Sequence, residues 1–203
     1  MKSQNANHNY SPVQEEDVRF FIDLCGANAV IWQDSEKLEP YSHDETADEH
    51  YHHMPELVLK PDNTEQVSRL MHYADERRIP VTPRGAGSGL SGGAIPACGG
   101  ILLSFERMNR ILEIDPENMM ITVEPGVVTN EINEVLEEYG LFYAGYPMSL
   151  ETCFIGGNVA ENAGGGKAIK YGVTGRYVFG LEAVLPSGEI VRYGGTRVKD
   201  VTG

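Results

Sequence analysis

The sequence predicts an α+β protein of two lobes, and three observations carry that expectation. The opening part of the chain reads strand–helix–strand, the pattern of a unit with parallel strands. The pattern then changes to short strands joined by tight turns, with a helix among them. Finally, two glycine clusters, PRGAGSGLSGGA at Pro83–Ala94 and FIGGNVAENAGGG at Phe154–Gly166, each feed one of these regions.

Taken in order, Ser11-Pro12 followed by Gln14 supplies an N-cap, a proline at the first helical position and a capping-box partner. A helix through Phe20, Phe21 and Leu24 should follow and stop at Gly26. Phe20, Phe21 and Trp32 are read as core. Tyr41–His53 is polar, weakly patterned and read as loop. Glu56–Leu59 is a short strand closed by Pro61. Asn63 or Thr64 caps a helix with the stripe Val67, Leu70, Met71 and Ala74, ending near Arg78. Ile79–Thr82 is the strand that enters the first glycine cluster. Ile101–Phe105, Ile111–Ile114 and Met120–Val123 are strands, the last two separated by the turn Asp115-Pro116-Glu117-Asn118. Thr129 caps a helix through Ile132, Val135 and Leu136 that ends at Gly140. Leu181–Leu185 and Glu189–Tyr193 form a hairpin around Pro186-Ser187-Gly188. The expected division is an N-terminal helix and polar loop at 1–54 and a main domain at 55–203. Within the latter, a small α/β lobe spans 55–92 and a larger α+β lobe spans 93–203.

Composition narrows the function. The chain has 203 residues, 41% hydrophobic and 23% charged, which suits one substantial domain or two small lobes. A net charge of −14 argues against nucleic acid as a partner, because phosphate backbones demand concentrated Lys and Arg. No apolar run is long enough to span a bilayer, and MKSQNANHNYSPVQEEDV has no signal-peptide core. The three cysteines, Cys25, Cys98 and Cys153, form no CxxC pair and read as reduced thiols of a cytoplasmic protein. Peripheral attachment at the inner face of the membrane is the alternative.

Glycine clusters of this kind let backbone amides approach and cradle phosphate oxygens, so a nucleotide cofactor is the natural ligand. Gly166-Lys167 suggests a P-loop, but the spacing GxxxxGK[ST] would require glycine at Glu161 and a hydroxyl at Ala168, so it fails. Gly87, Gly89 and Gly92 formally match GxGxxG. That fingerprint must open a helix, however, and Ala94-Ile95-Pro96-Ala97-Cys98-Gly99-Gly100 cannot form one. A flavin dinucleotide held by loops remains.

At this point the chain resembles the FAD-binding flavoproteins of the PCMH/vanillyl-alcohol oxidase superfamily. It is most like the branch of glycolate oxidase GlcD subunits and D-lactate dehydrogenases. The resemblance runs from about Tyr41 to the last residue through PRGAGSGLSGG, LLSFERMNRILEID, ITVEPGV, CFIGGNVAENAGG, KYGVT and LEAVLPSGE. It implies a PCMH-type domain of two α+β lobes with FAD between them. By resemblance, the segment Arg84, Gly85, Ala86, Gly87, Ser88, Gly89, Leu90 and Ser91 takes the pyrophosphate. Pro147 and Ser149 match a PSS-like piece near the flavin. Gly156, Gly157, Asn158, Asn162 and Gly165 line the other side, Tyr171 and Gly172 terminate that loop, and Glu182 and Val184 meet the adenine end. Ser88 stands where some relatives carry a His bonded to flavin, so non-covalent FAD is implied.

Some residues weigh differently. His43, His50, His52 and His53 among Asp44, Glu45, Asp48 and Glu49 form a solvated acidic loop rather than a metal site, so no metal is expected. Tyr41-Ser42-His43-Asp44 also matches a YSxD-like family segment of structural character. Arg84 is open between charge for the pyrophosphate and a place in solvent, while Lys167 and Lys170 read as surface charges. The resemblance implies oxidation of a D-2-hydroxy acid, of D-lactate or glycolate type, to the 2-oxo acid, with hydride passing to the flavin. A flavin enzyme with a different cap, ether-lipid synthase-like, and a non-catalytic FAD-binding module are the alternatives. In relatives the substrate groups come from a later cap domain, and Val201-Thr202-Gly203 stops short of it. The sequence is thus expected to be truncated inside the FAD domain, with no catalytic base assignable. The electron acceptor, whether quinone, cytochrome, electron-transfer flavoprotein or iron–sulfur subunit, is left open.

Overall fold

The computed structural model describes residues 10–47 and 51–195. The predicted terminal segment Val201–Gly203, and Asp48, Glu49 and His50 of the acidic loop, lie outside the described residues. Helix α1 covers Glu15–Cys25, and strand β1, Val30–Trp32, follows it. The short helix α2 covers Ser35–Leu38 and strand β2 covers Leu57–Leu59. Helix α3, Thr64–Arg77, leads to β3, Val81–Arg84, and then to β4, Ile101–Ser104. These strands make one sheet in the order β1-β2-β4-β3, with β1 antiparallel to β2 and the other pairs parallel.

The middle of that sheet is buried on both faces, as parallel strands require. Alternation sends Leu57, Leu59, Ile101 and Leu103 to one side, where they meet Val18 and Phe21 of α1 and Val67, Leu70 and Ala74 of α3. Val58 and Leu102 point the other way, against Leu38 of α2. Each such side chain contributes roughly 1.5–3 kcal/mol by leaving water. β3 is an edge strand, where Pro83 removes no ladder donor that the sheet needs.

The rest of the chain adds two hairpins and short helices. β5 (Ile111–Asp115) pairs with β6 (Met120–Val123), and helix α4 is Thr129–Glu137. Together they bury a second core of Val127, Ile132, Leu136 and Ile155. α5 (Ile155–Ala160) and α6 (Ala168–Tyr171) follow, and β7 (Gly180–Val184) pairs with β8 (Ile190–Gly194). This last hairpin docks on α3, where the Ser68 hydroxyl donates to the Gly188 carbonyl at 2.6 Å. No described helix is long and apolar enough to cross a membrane.

Several expectations need correction. α1 starts after Gln14 rather than Ser11, because the Asp17 carboxylate accepts the Gln14 amide at 2.7 Å and caps the helix there. Thr129 does not cap α4; Val128 precedes the helix, and Thr129 is fully buried. The strands β2 and β3 are parallel, as expected, with β4 lying between them. β4 is a central strand of this sheet, and α1 packs into the core formed by β2, β4 and α3. The second glycine cluster, expected as loop, carries α5.

Candidate functional site

The carboxyl ends of β2, β4 and β3 lie on one edge of the sheet, the edge at which ligands sit in open parallel sheets. Lys60, Glu106 and Tyr41 gather there. Lys60 Nζ donates to Glu106 at 2.7 Å, and the Tyr41 hydroxyl donates to it at 2.9 Å. Burial works to raise the Glu106 carboxyl, but those two hydrogen bonds prevail and hold it below its usual range. The first glycine segment departs from β3 beside this cluster.

That segment is laid over the stretch 40–45. The Arg84 guanidinium, 7% exposed, donates to the carbonyls of His43 at 2.7 Å and Pro40 at 3.2 Å. Burial pulls Arg84 below the usual arginine range. Asp44, also buried, accepts from the amides of Gly92 at 2.9 Å and Thr46 at 2.8 Å. Glu45 donates its amide to the Gly89 carbonyl at 3.0 Å. Gly87, at φ +76°, rests directly on the guanidinium, and a Cβ there would collide with Arg84. Arg84 is thus neither a surface charge nor a side chain reaching into the cleft; it is the bracket under the loop.

Among the described residues, no acceptor takes the N–H groups of residues 86–91, Ala86 through Ser91. A run of amides without acceptors, over a buried cation, is an arrangement that could cradle an anion.

The opposite wall is α5. The ideal Cβ position of Gly85 lies 3.6 Å from the Gly157 backbone, so the two segments meet there. Gly156 is pressed on Pro125, where a Cβ would come within 2.6 Å. Gly157 and Gly89 have ordinary φ, and a Cβ on either would meet nothing within 4 Å. Neither strain nor crowding within the chain calls for glycine at these two positions. Backbone left uncovered at both is what close approach of a bound group would use, so the residues fit the cofactor. Glu161, at the end of α5, accepts from the Ser91 hydroxyl at 2.8 Å and spans the two segments.

The other predicted residues divide. Asn158 is turned inward and buried, with its amide on the Thr129 hydroxyl at 2.6 Å, so its side chain does not line the cleft. Gly165 allows close packing, because a Cβ there would collide with the Tyr146 carbonyl beside buried Pro147. Asn162 accepts from the Gly175 amide at 2.9 Å, and Tyr171 offers its carbonyl to the Tyr177 hydroxyl at 2.5 Å. Gly172, at φ +89°, ends α6. The Ser149 carbonyl accepts from the amides of Cys153 at 2.8 Å and Thr152 at 2.9 Å. Glu182 and Val184 stand on the β7–β8 hairpin. The Glu182 carboxyl is held low by Arg192 at 2.8 Å, and Val184 packs into the first core. Lys167 lies 3.9 Å from the centre of the Tyr146 ring. His43 and His52 stack at 5.0 Å, and among the described residues no cluster of His, Cys, Asp and Glu could hold a metal ion. Sequence reasoning missed Glu161 and the inward role of Thr129, since neither lies at a glycine.

The FAD binding domain family matches residues 55–194. The chain is 48% identical over 163 residues to the glycolate oxidase subunit GlcD of Bacillus subtilis, covering 80% of this chain and 34% of that protein. It is 36% identical over 198 residues to a D-lactate dehydrogenase of Anaerostipes hadrus, covering 98% of this chain and 41% of that protein. Among solved structures, p-cresol methylhydroxylase with substrate bound superposes with a TM-score of 0.72 at 27% identity, over 89% of this chain and 36% of that one. The chain thus spans about a third to two-fifths of the length of these relatives. The fold is the PCMH-type FAD-binding fold, and the chain belongs to the FAD binding domain family of flavoproteins.

Proposed function

We propose that these residues form the FAD-binding portion of an oxidoreductase that converts a D-2-hydroxy acid of D-lactate or glycolate type to the 2-oxo acid. The observation that supports the cofactor reading is the approach of the two glycine segments at Gly85 and Gly157, beside amides at 86–91 that no acceptor among the described residues takes. The substrate reading rests on the relatives, a glycolate oxidase subunit and a D-lactate dehydrogenase. When bound, the flavin supplies a hydride acceptor.

The chain's own share is to hold and orient that group. The amides of Ala86–Ser91 bind the diphosphate, while Gly89 and Gly157 allow planar and sugar portions to lie against backbone. Arg84 and Asp44 keep the loop in shape. Pro147 and Ser149 border the flavin, and the backbone of Glu182 and Val184 meets the adenine. Ser88 offers no nitrogen for a covalent link, so attachment is non-covalent.

Two measurements test this. Denatured full-length protein passed through a small-pore filter should release yellow flavin into the filtrate; colour retained on the polypeptide would refute non-covalent attachment. The full-length protein should also reduce a dye with D-lactate or glycolate and leave the L-enantiomer of lactate largely untouched. Reduction by neither acid would overturn the substrate class while leaving the cofactor reading standing.

A further inference from the structure

Resting on the flavin reading above, we propose that Thr129 and Asn158 are positioning residues for the second wall, fixing the rotation of α5 so that Gly157 faces the ligand. Thr129 opens α4, Cys153 lies just before α5, and Asn158 is on α5. All three are buried, at 0%, 3% and 5% exposure. Asn158 Nδ2 donates to Thr129 Oγ1 at 2.6 Å and lies 3.4 Å from Cys153 Sγ. Thr129 Oγ1 donates to the Cys153 carbonyl at 3.2 Å and accepts from the Cys153 thiol at 3.3 Å. The Thr129 backbone amide donates to the same carbonyl at 3.0 Å. One hydroxyl thus ties three chain segments together away from water.

The consequence for the cleft is geometric. Successive helical residues are about 100° apart around the axis, so pinning the Asn158 side chain inward fixes the direction in which Gly157 looks. Gly156, wedged on Pro125, prevents α5 from backing away, and Gly157 touches the Gly85 region of the first wall. A six-residue helix with two glycines has little rigidity of its own. Without the Thr129 hydroxyl, the Asn158 amide is left short of its acceptor in the interior. Only the weak acceptor Cys153 Sγ then remains, and a turn of α5 that seeks a better one swings Gly157.

The test compares Thr129→Val with Thr129→Ser in the full chain. At a temperature where the flavin-free proteins are folded, Thr129→Val should raise the FAD dissociation constant about tenfold or more, and Thr129→Ser should stay within about threefold of wild type. Amide hydrogen exchange across residues 155–160 of the flavin-free protein should quicken in Thr129→Val and not in Thr129→Ser. Wild-type FAD affinity in folded Thr129→Val, or failure of Thr129→Ser to rescue it, would overturn the proposal. If wild type itself takes up no flavin, the cofactor reading fails; unchanged exchange in Thr129→Val would then overturn the positioning role separately.

Discussion

The two glycine segments face one another yet are held by opposite means. In the first, Gly87 and Gly92 both sit at φ +76°, and the backbone is strung over charged side chains, Arg84 below and Asp44 at its exit. In the second, Gly156 and Gly157 have ordinary helical backbone, and the support is neutral, the hydroxyl, amide and thiol of Thr129, Asn158 and Cys153. Glycine therefore means different things on the two walls. It permits a turn at Gly87, a close approach at Gly156 and an uncovered face at Gly157.

The sharpest break between the walls should come from adding side chains to each. Gly87→Val is expected to abolish FAD retention and lower the flavin-free melting temperature. Left-handed strain costs about 1–3 kcal/mol and the collision with Arg84 roughly as much again. Gly157→Ala should separate the two readouts. The flavin-free protein should become about 0.5–1 kcal/mol more stable, because alanine is the better helix former, while FAD affinity drops. A matched fall in both quantities for Gly157→Ala would erase the distinction.

A milder contrast lies in acid. Glu124, 7% exposed, holds the turn that backs the second wall; it accepts from the Arg110 amide at 2.8 Å and from its guanidinium at 2.7 Å. Burial works to raise this carboxyl, but the Arg110 hydrogen bonds prevail and keep it below the ordinary 4.5. Its contribution is therefore complete above that ordinary value and is lost as pH falls through the lower folded one. Glu124→Gln should cost about 1 kcal/mol at pH 7, at the low end because Arg110 is largely exposed, and should flatten the decline of stability below pH 4.5. Thermal melts of both proteins from neutral pH downward would check it. The smallest effect is expected at Glu182, whose exposed partner Arg192 adds under about 0.5 kcal/mol, so Glu182→Gln should barely change stability or FAD affinity. A large loss of FAD there would mean that the carboxylate, not the backbone, meets the adenine.

The fold was legible where periodicity and turn residues agreed. α3, with Asn63 as cap, and the β7–β8 hairpin around Pro186-Ser187-Gly188 lie close to where their patterns placed them. β1 and α2 escaped notice because three and four residues carry too little pattern. α5 was hidden by its own glycines, whose low helix propensity is overridden by burial of Ile155 and Asn158. In the site, the glycines announced themselves, but the side chains behind them did not. Arg84 and Asn158 sit beside the glycines in the chain, yet Arg84 bonds the carbonyls of Pro40 and His43 and Asn158 the hydroxyl of Thr129, partners distant in sequence.

The order β1-β2-β4-β3 has a consequence for how the chain is made. Strands β2 and β3 emerge from the ribosome before the strand that must lie between them. Until residues 101–104 arrive, β2 has a ladder only with β1, Val81 has none, and the first glycine segment hangs from an unpaired strand. The sheet is therefore zipped by its last member, a long-range closure of the kind that slows folding. During that interval two apolar edges are open to chaperones or to neighbouring chains. A translational pause just after β4 would shorten this exposure, and a pause just before it would prolong it.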